Sequence, residues 1–340
     1  MEKKFDLMCL GEILLRLSPQ NHERIVRGET FVKQVGGAEL NVASGVSLLG
    51  LRTGILSQVP DNAVGGYVKN GIRFCGVCDE YLAVDSEPDG RLGIYYYEDG
   101  AYPRKPSVVY DREHTSFRKL TAEDVPETLF GQVRCFHTSG ITLALSRQCR
   151  ETAVTLMKRF REAGALISFD VNYRANLWSG EEARAAVEEI LPLVDIFFCS
   201  ESTARLTFLK EGAVRGVMRE FADQYGISVV ATTSRVVHSP KRHTMSSVIY
   251  DARNQQYYEE KPYENIDVVD RIGSGDAYVG GVLYGLLSEG GGCRRALEYG
   301  NAAGAFKNTV PGDLPSCTRR ELDQIIRNHQ ASGEVLEMNR

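Results

Sequence analysis

No stretch of this chain approaches the ~18 uninterrupted apolar residues that a membrane-spanning helix needs, so no transmembrane segment is expected. Basic residues are not in excess: 40 Lys and Arg face 45 Asp and Glu, and a net charge of −5 argues against nucleic acid or an anionic membrane as partner. The opening segment carries lysines before apolar residues, but Gly11, Glu12 and Arg16 interrupt the run before it could serve as a signal-peptide core. A cytoplasmic protein is the expectation. A zinc set is missing as well. Cys75-Gly-Val-Cys78 has the right spacing, yet no second pair or His cluster completes it. Most of the eight cysteines, such as Cys9, Cys135 and Cys199, sit in apolar contexts and read as buried thiols. There is no low-complexity linker, internal repeat or heptad.

What is present is an alternation of strand-like and helical patterns along the whole chain, the signature of a parallel sheet covered on both faces. Strands are expected at 5–10, 53–59, 132–137, 165–170, 195–199 and 228–232. Helices are expected at 38–49, 146–163, 180–191, 202–209, 214–225, 274–287 and 294–308, before a polar terminal helix. Two stretches break the pattern: 14–35 and 91–110 are rich in β-branched and aromatic residues, with turns such as Ser18-Pro19 and Asp99-Gly100. They read as a small β-lid over the carboxyl ends of the strands, where an open α/β sheet places its ligand. At 340 residues the chain suits one α/β domain, 1–340, with this lid inserted in it.

Three constellations carry chemistry. In Asp270-Arg-Ile-Gly-Ser-Gly-Asp276 a glycine turn opens an apolar helix and a carboxylate follows directly. Gly273 and Gly275 let backbone N–H groups converge on an anion at the helix N-terminus. Asp276 could then accept the proton of an attacking hydroxyl, or serve only as an N-terminal acid facing the helix dipole. Gly36-Gly37-Ala-Glu-Leu-Asn41 places two glycines at a helix start and an amide one turn inside, suited to binding hydroxyls or to satisfying nearby backbone. After a buried strand, Asp170, Asn172 and Arg174 alternate toward one side at its carboxyl end, and Arg174 suits a carboxylate or phosphate. The dinucleotide fingerprint Gly-x-Gly-x-x-Gly is absent after the first strand, where Leu10-Gly11-Glu12 leads into the lid instead, which disfavours a dehydrogenase.

Together the Gly-Gly…Asn box and the Gly-Ser-Gly-Asp box resemble the ribokinase-like (PfkB) carbohydrate kinases, from about Phe5 to about Leu322. Within that family, Gly37-Ala-Glu-Leu-Asn41, Tyr95 to Tyr97, Phe136-His-Thr-Ser-Gly-Ile-Thr142, Asp170-Val-Asn-Tyr-Arg174 and Thr309-Val-Pro-Gly-Asp313 resemble 2-keto-3-deoxygluconate kinases. The resemblance implies an α/β ribokinase-like three-layer sandwich, and an ATP- and Mg2+-dependent kinase making 2-keto-3-deoxy-6-phosphogluconate. It implies Asp276 as base and Gly273, Ser274 and Gly275 as anion hole. Gly36, Gly37, Asn41, Tyr95, Tyr97, Arg104, Asp170, Asn172 and Arg174 would hold the substrate. Ser200, Thr232, Arg235, Gly273, Gly275, Asn301 and Ala305 would border the nucleotide. Glu201 would serve Mg2+, and Asp270 a monovalent cation such as K+. The family's Asn-x-x-Glu element reads Cys199-Ser-Glu-Ser-Thr203 here, and the usual glycine-containing turn after Thr232 is replaced by 233–239. A neutral sugar such as fructose or ribose is the alternative acceptor, and a catalytically silent sugar-binding relative a third reading. Exposed aromatic lid strands point to a homo-oligomer, a dimer or larger, paired through the lid.

Overall fold

Phe5–Leu10 is buried along all six residues, as a strand covered on both faces must be. Its alternate side chains divide between two cores: Met8 and Leu10 on one face, Leu7 and Cys9 on the other. The computed structural model describes residues 3–331; residues 1–2 and 332–340 of the single unit expected from the sequence lie outside it.

Seven strands run parallel in the order Leu82–Asp85, Thr53–Pro60, Phe5–Leu10, Val133–Ser139, Leu166–Asp170, Ile196–Phe198 and Val229–Ser239. Arg242–Asp251 and then Gln256–Glu259 continue the sheet antiparallel, and Tyr263–Asp267 also pairs with Arg242–Asp251. The strand expected to stop at Thr232 therefore runs on to Ser239, so residues 233–239 are strand and not a turn. Its β-branched Thr232, Thr233, Val236 and Val237 favour that continuation.

On one face of the sheet the helix Arg147–Glu162 lays Leu156, Met157 and Phe160 on the strands, with Phe160 stacked on Phe136 at 4.5 Å between ring centroids. On the other face the helices Ala38–Leu48 and Ser274–Leu287 pack Val42, Val46, Tyr278 and Val282. Both are apolar nearly all round, which matches their burial between sheet and outer helices. The helix Ala63–Phe74 escaped the sequence reading because three glycines weaken its pattern; Asn62 caps it, accepting from the N–H groups of Val64 and Gly65.

The two irregular stretches form a second sheet of four strands, in the order Phe31–Gly36, Leu14–Pro19, Gly93–Glu98 and Ser107–Asp111. Each stretch is an antiparallel pair, and the pairs join through parallel Leu14–Pro19 and Gly93–Glu98. Among the described residues no helix is long and apolar enough to cross a membrane.

Candidate active site

The central strand Phe5–Leu10 has Thr53–Pro60 on one side and Val133–Ser139 on the other, and the chain winds outward in both directions from there. Such a reversal opens a crevice above the carboxyl ends of the strands. Register brings the strand ends together: Asp170 pairs with both Ser139 and Phe198, and Phe198 with Ala231. Above them, under the small sheet, lies a cavity of about 1080 Å3.

Asp276 stands in this cavity at the first turn of Ser274–Leu287. Gly273 takes φ 79°, a left-handed conformation that L side chains rarely adopt, and an added Cβ would lie 2.2 Å from the Asp313 carbonyl oxygen. The Ser274 N–H donates to the Arg271 carbonyl at 3.2 Å, leaving the N–H groups of Gly273 and Gly275 for an anion. Asn41 Nδ2 donates to Asp276 Oδ2 at 2.7 Å, and Asn172 Nδ2 reaches Oδ1 at 3.4 Å. Gly37, at φ 147°, lets the start of the Asn41 helix press on the backbone of Glu12, where a Cβ would meet the Glu12 carbonyl at 2.5 Å. Burial raises the Asp276 pKa above the ordinary range, Asn41 and Arg174 restrain the rise, and Asp313 adds to it. A carboxylate with raised pKa is a stronger proton acceptor.

Asp170, Asn172 and Arg174 all face the cavity, though not by strand alternation. The strand ends at Asp170, and Asn172 turns the chain with φ 38°, its N–H held by Asp170 Oδ1 at 3.0 Å. Burial and the neighbouring Asp276 push the Asp170 pKa up to about 7. Because this value lies above the ~3.9 of an unfolded chain, the native state keeps a proton that the unfolded state has lost. Stability is fullest below about pH 4 and declines as pH rises toward 7. Asp170→Asn removes that decline. Its melting temperature should match wild type near pH 4 and exceed it by a few degrees at pH 8, a gain of about 4 kcal/mol for the roughly three-unit shift, measured by calorimetry across that range.

Of the other sequence-nominated residues, Gly37, Tyr95, Ser200, Glu201, Arg235, Ser274 and Gly275 line the cavity. Seven do not. Gly36 packs against the Asp313 carboxylate. Tyr97 is buried beneath the Arg16 guanidinium, whose Cζ lies 4.4 Å from the ring centroid, and against Ile272. Arg104 is held by Glu98, so it does not supply the cavity arginine expected of it. Thr232 is buried in the strand. Asn301 accepts from Ser247 and donates to Glu260, both at 2.7 Å. Ala305 packs with Met245 and Ile266. Asp270 lies behind the turn, paired with Arg16 at 2.7 Å.

Residues 4–318 match the pfkB family carbohydrate kinase profile, nearly the whole described chain. The chain belongs to the pfkB family of carbohydrate kinases. Its relatives include 2-dehydro-3-deoxygalactonokinase of Haloferax volcanii, 35% identical across 96% of this chain and 98% of that protein. The 2-dehydro-3-deoxygluconokinase of Bacillus subtilis is 28% identical across 97% of this chain and 99% of its own length. Among solved structures, 2-dehydro-3-deoxygluconokinase of Thermotoga maritima superposes with a TM-score of 0.89 at 32% identity, covering 95% of this chain and 99% of that one.

Several cavity residues of this carbohydrate kinase were not singled out from sequence. Arg112 faces the cavity with Nε and Nη2 on the Glu12 carboxylate, which Thr115 also reaches. The signal for it was available: Val108 and Tyr110 alternate along the last strand of the small sheet, Arg112 follows two residues on, just past the strand end, and all three line the cavity. Glu39 is 1% exposed and accepts from Ser139 Oγ at 2.6 Å and Thr142 Oγ1 at 2.8 Å; burial raises its pKa. Arg271 lines the cavity beside the glycine turn, and its buried Nε has no hydrogen-bond partner among the described residues. A long cation one residue before an anion-binding turn was the clue. Asp313 closes the wall, taking the Tyr95 hydroxyl and, at 2.9 Å, Arg16 Nη1.

Proposed function

We propose that this kinase transfers the γ-phosphoryl group of ATP to the terminal hydroxyl of 2-keto-3-deoxygluconate, giving the 6-phosphate. The observation that carries the reading is one cavity holding a buried base beside a glycine turn and two arginines suited to a carboxylate. In a six-carbon 2-keto-3-deoxy acid the carboxylate and the accepting hydroxyl sit at opposite ends of the molecule. With the hydroxyl at Asp276, the carboxylate meets Arg174, which has no carboxylate partner among the described residues, and Arg112, whose Nη1 is not engaged by Glu12. The names of the relatives support a sugar acid of this class.

Asp276 takes the hydroxyl proton as the oxygen bonds to the γ-phosphorus and the bond from that phosphorus to the β-phosphate bridging oxygen breaks, releasing ADP. Little covalent help is needed; positioning and charge neutralisation carry the rate. The N–H groups of Gly273 and Gly275, with Arg271 and Arg235 beside them, face the transferring phosphate. Among the described residues no group of three or more His, Cys, Asp or Glu forms a metal cage. That suits Mg2+, which keeps waters and phosphate oxygens as ligands and needs only one or two carboxylates. Glu201, on the cavity wall, would hold it, and bound Mg2+ would neutralise phosphate charge.

A coupled assay with ATP and Mg2+ across sugar acids and neutral sugars tests the assignment. The expected result is turnover of 2-keto-3-deoxygluconate, with its epimer 2-keto-3-deoxygalactonate as the closest competitor. Preference for fructose or ribose would replace the acceptor; no turnover of any sugar would favour a silent sugar-binding protein.

On its face away from the cavity the small sheet exposes Phe31 and Val109, with the Tyr96 ring against Phe31. An apolar sheet surface of this kind suits pairing with a second copy of the chain, which would also help exclude water from the cavity. Sedimentation equilibrium should give a dimer or larger, and Val109→Lys should shift it toward monomer.

A further inference from the structure

Lys307 is 0% exposed, and among the described residues its ammonium bonds only main-chain carbonyls: Asp270 O at 3.4 Å and Val310 O at 3.2 Å. Asp270 is the residue at which the family resemblance leads one to expect a monovalent cation, and its oxygens are already engaged. Oδ1 accepts from the Ile272 N–H at 3.0 Å; Oδ2 accepts from the Gly312 N–H at 3.0 Å and lies 2.7 Å from Arg16 Nη1. Arg16 also pairs with Asp313 at 2.9 Å. Two buried carboxylates are thus balanced by two buried cations that belong to the chain. Despite burial, Asp270 and Asp313 raise the pKa of Arg16, whereas burial and the neighbouring Arg16 lower that of Lys307 and the same two carboxylates offset only part of the fall. A further cation would find spent donors and would add uncompensated charge to a low-dielectric interior. The residues at Asp270 do not fit a dissociable monovalent cation.

We propose that the Lys307 ammonium, supported by Arg16, is a built-in substitute for a monovalent cation: a positioning residue that holds the phosphate-binding turn and makes phosphoryl transfer independent of K+. The carbonyl of Asp270 lies three residues before Gly273. The carbonyl of Val310 belongs to the segment that leads to Asp313, whose own carbonyl approaches the Gly273 Cα so closely that a Cβ there would lie 2.2 Å away. One ammonium therefore ties together the two loops that meet at the turn. The inference rests on that turn binding the transferring phosphate.

The test compares wild type and Lys307→Ala in buffers of equal ionic strength whose only monovalent cation is K+, NH4+, Na+ or tetramethylammonium, with Mg2+ and ATP constant. Wild type should turn over at one rate in all four, and the shift in melting temperature produced by MgATP should also be the same in all four. Lys307→Ala should lose about tenfold or more in turnover, as expected when a charge-assisted hydrogen bond is removed, and recover part of it in K+ or NH4+ but not in tetramethylammonium. A purely structural lysine would give no such size-selective rescue. If the wild type is several-fold faster in K+, or K+ raises its melting temperature, the proposal is overturned; so too if the folded variant matches wild type in every salt. A failed acceptor assignment would abolish turnover in all four salts alike, and the MgATP melting shifts of the wild type would then decide the cation question alone. They do the same if the variant does not fold.

Discussion

Asp276→Asn should lower turnover about 10^2- to 10^4-fold, the range that proton transfer by a positioned side chain contributes, while the Kd for MgATP stays within about twofold of wild type. The amide fits the same space and can present its oxygen to Asn41 Nδ2, which now donates to Oδ2 at 2.7 Å. It cannot take a proton from the acceptor. Folding provides the control. Burial makes the charge at this position costly, as the raised pKa indicates, so the neutral variant should melt no lower than wild type at pH 8. Steady-state rates with titration calorimetry and melting curves separate the two roles. Turnover within about tenfold of wild type would remove Asp276 as the base, since a helix N-terminal acid contributes only a fraction of a kcal/mol.

The second large effect is expected at Arg174. Arg174→Ala should cut kcat/KM for the sugar acid about 10- to 100-fold, the equivalent of the ~1.5–3 kcal/mol of a hydrogen bond to a charged group. For a neutral sugar the change should stay within about threefold. Arg174 is exposed and among the described residues makes a single long hydrogen bond, 3.4 Å to the Tyr173 carbonyl, so its truncation breaks no ion pair there and the melting temperature should hold. Equal losses for acids and neutral sugars would show Arg174 acting on the nucleotide or on Asp276, whose charge it favours.

The parts of this fold that sequence made legible are those written locally. Fully buried parallel strands appear as mainly apolar runs, and Phe5–Leu10, apolar but for Asp6, is delimited to the residue. The turn before Asp276 was readable because glycines, helix start and carboxylate are contiguous. Contacts between distant segments were not readable. Nothing local to Arg16 tells that it meets Asp270 and Asp313, about three hundred residues later in the case of Asp313. Tyr95 and Tyr97 share one face of a strand, yet only Tyr95 reaches the cavity, because Arg16 covers Tyr97. The nucleotide-side positions Thr232, Asn301 and Ala305 came from the family resemblance. In this chain they are buried among strand, Ser247, Glu260 and Met245, where local packing decides what each one touches. Arg104 follows the lid tyrosines in sequence but is held by Glu98, whereas Arg112, just past the end of the last strand of the small sheet, lines the cavity.

The most direct test of the account is a crystal structure of the wild-type kinase with a nonhydrolysable ATP analogue, Mg2+ and 2-keto-3-deoxygluconate bound together. The γ-phosphate should rest on the N–H groups of Gly273 and Gly275, the terminal hydroxyl should lie within hydrogen-bond distance of the Asp276 carboxylate, and the sugar carboxylate should meet Arg174. A phosphate seated away from that turn, or a hydroxyl beyond the reach of Asp276, would contradict it.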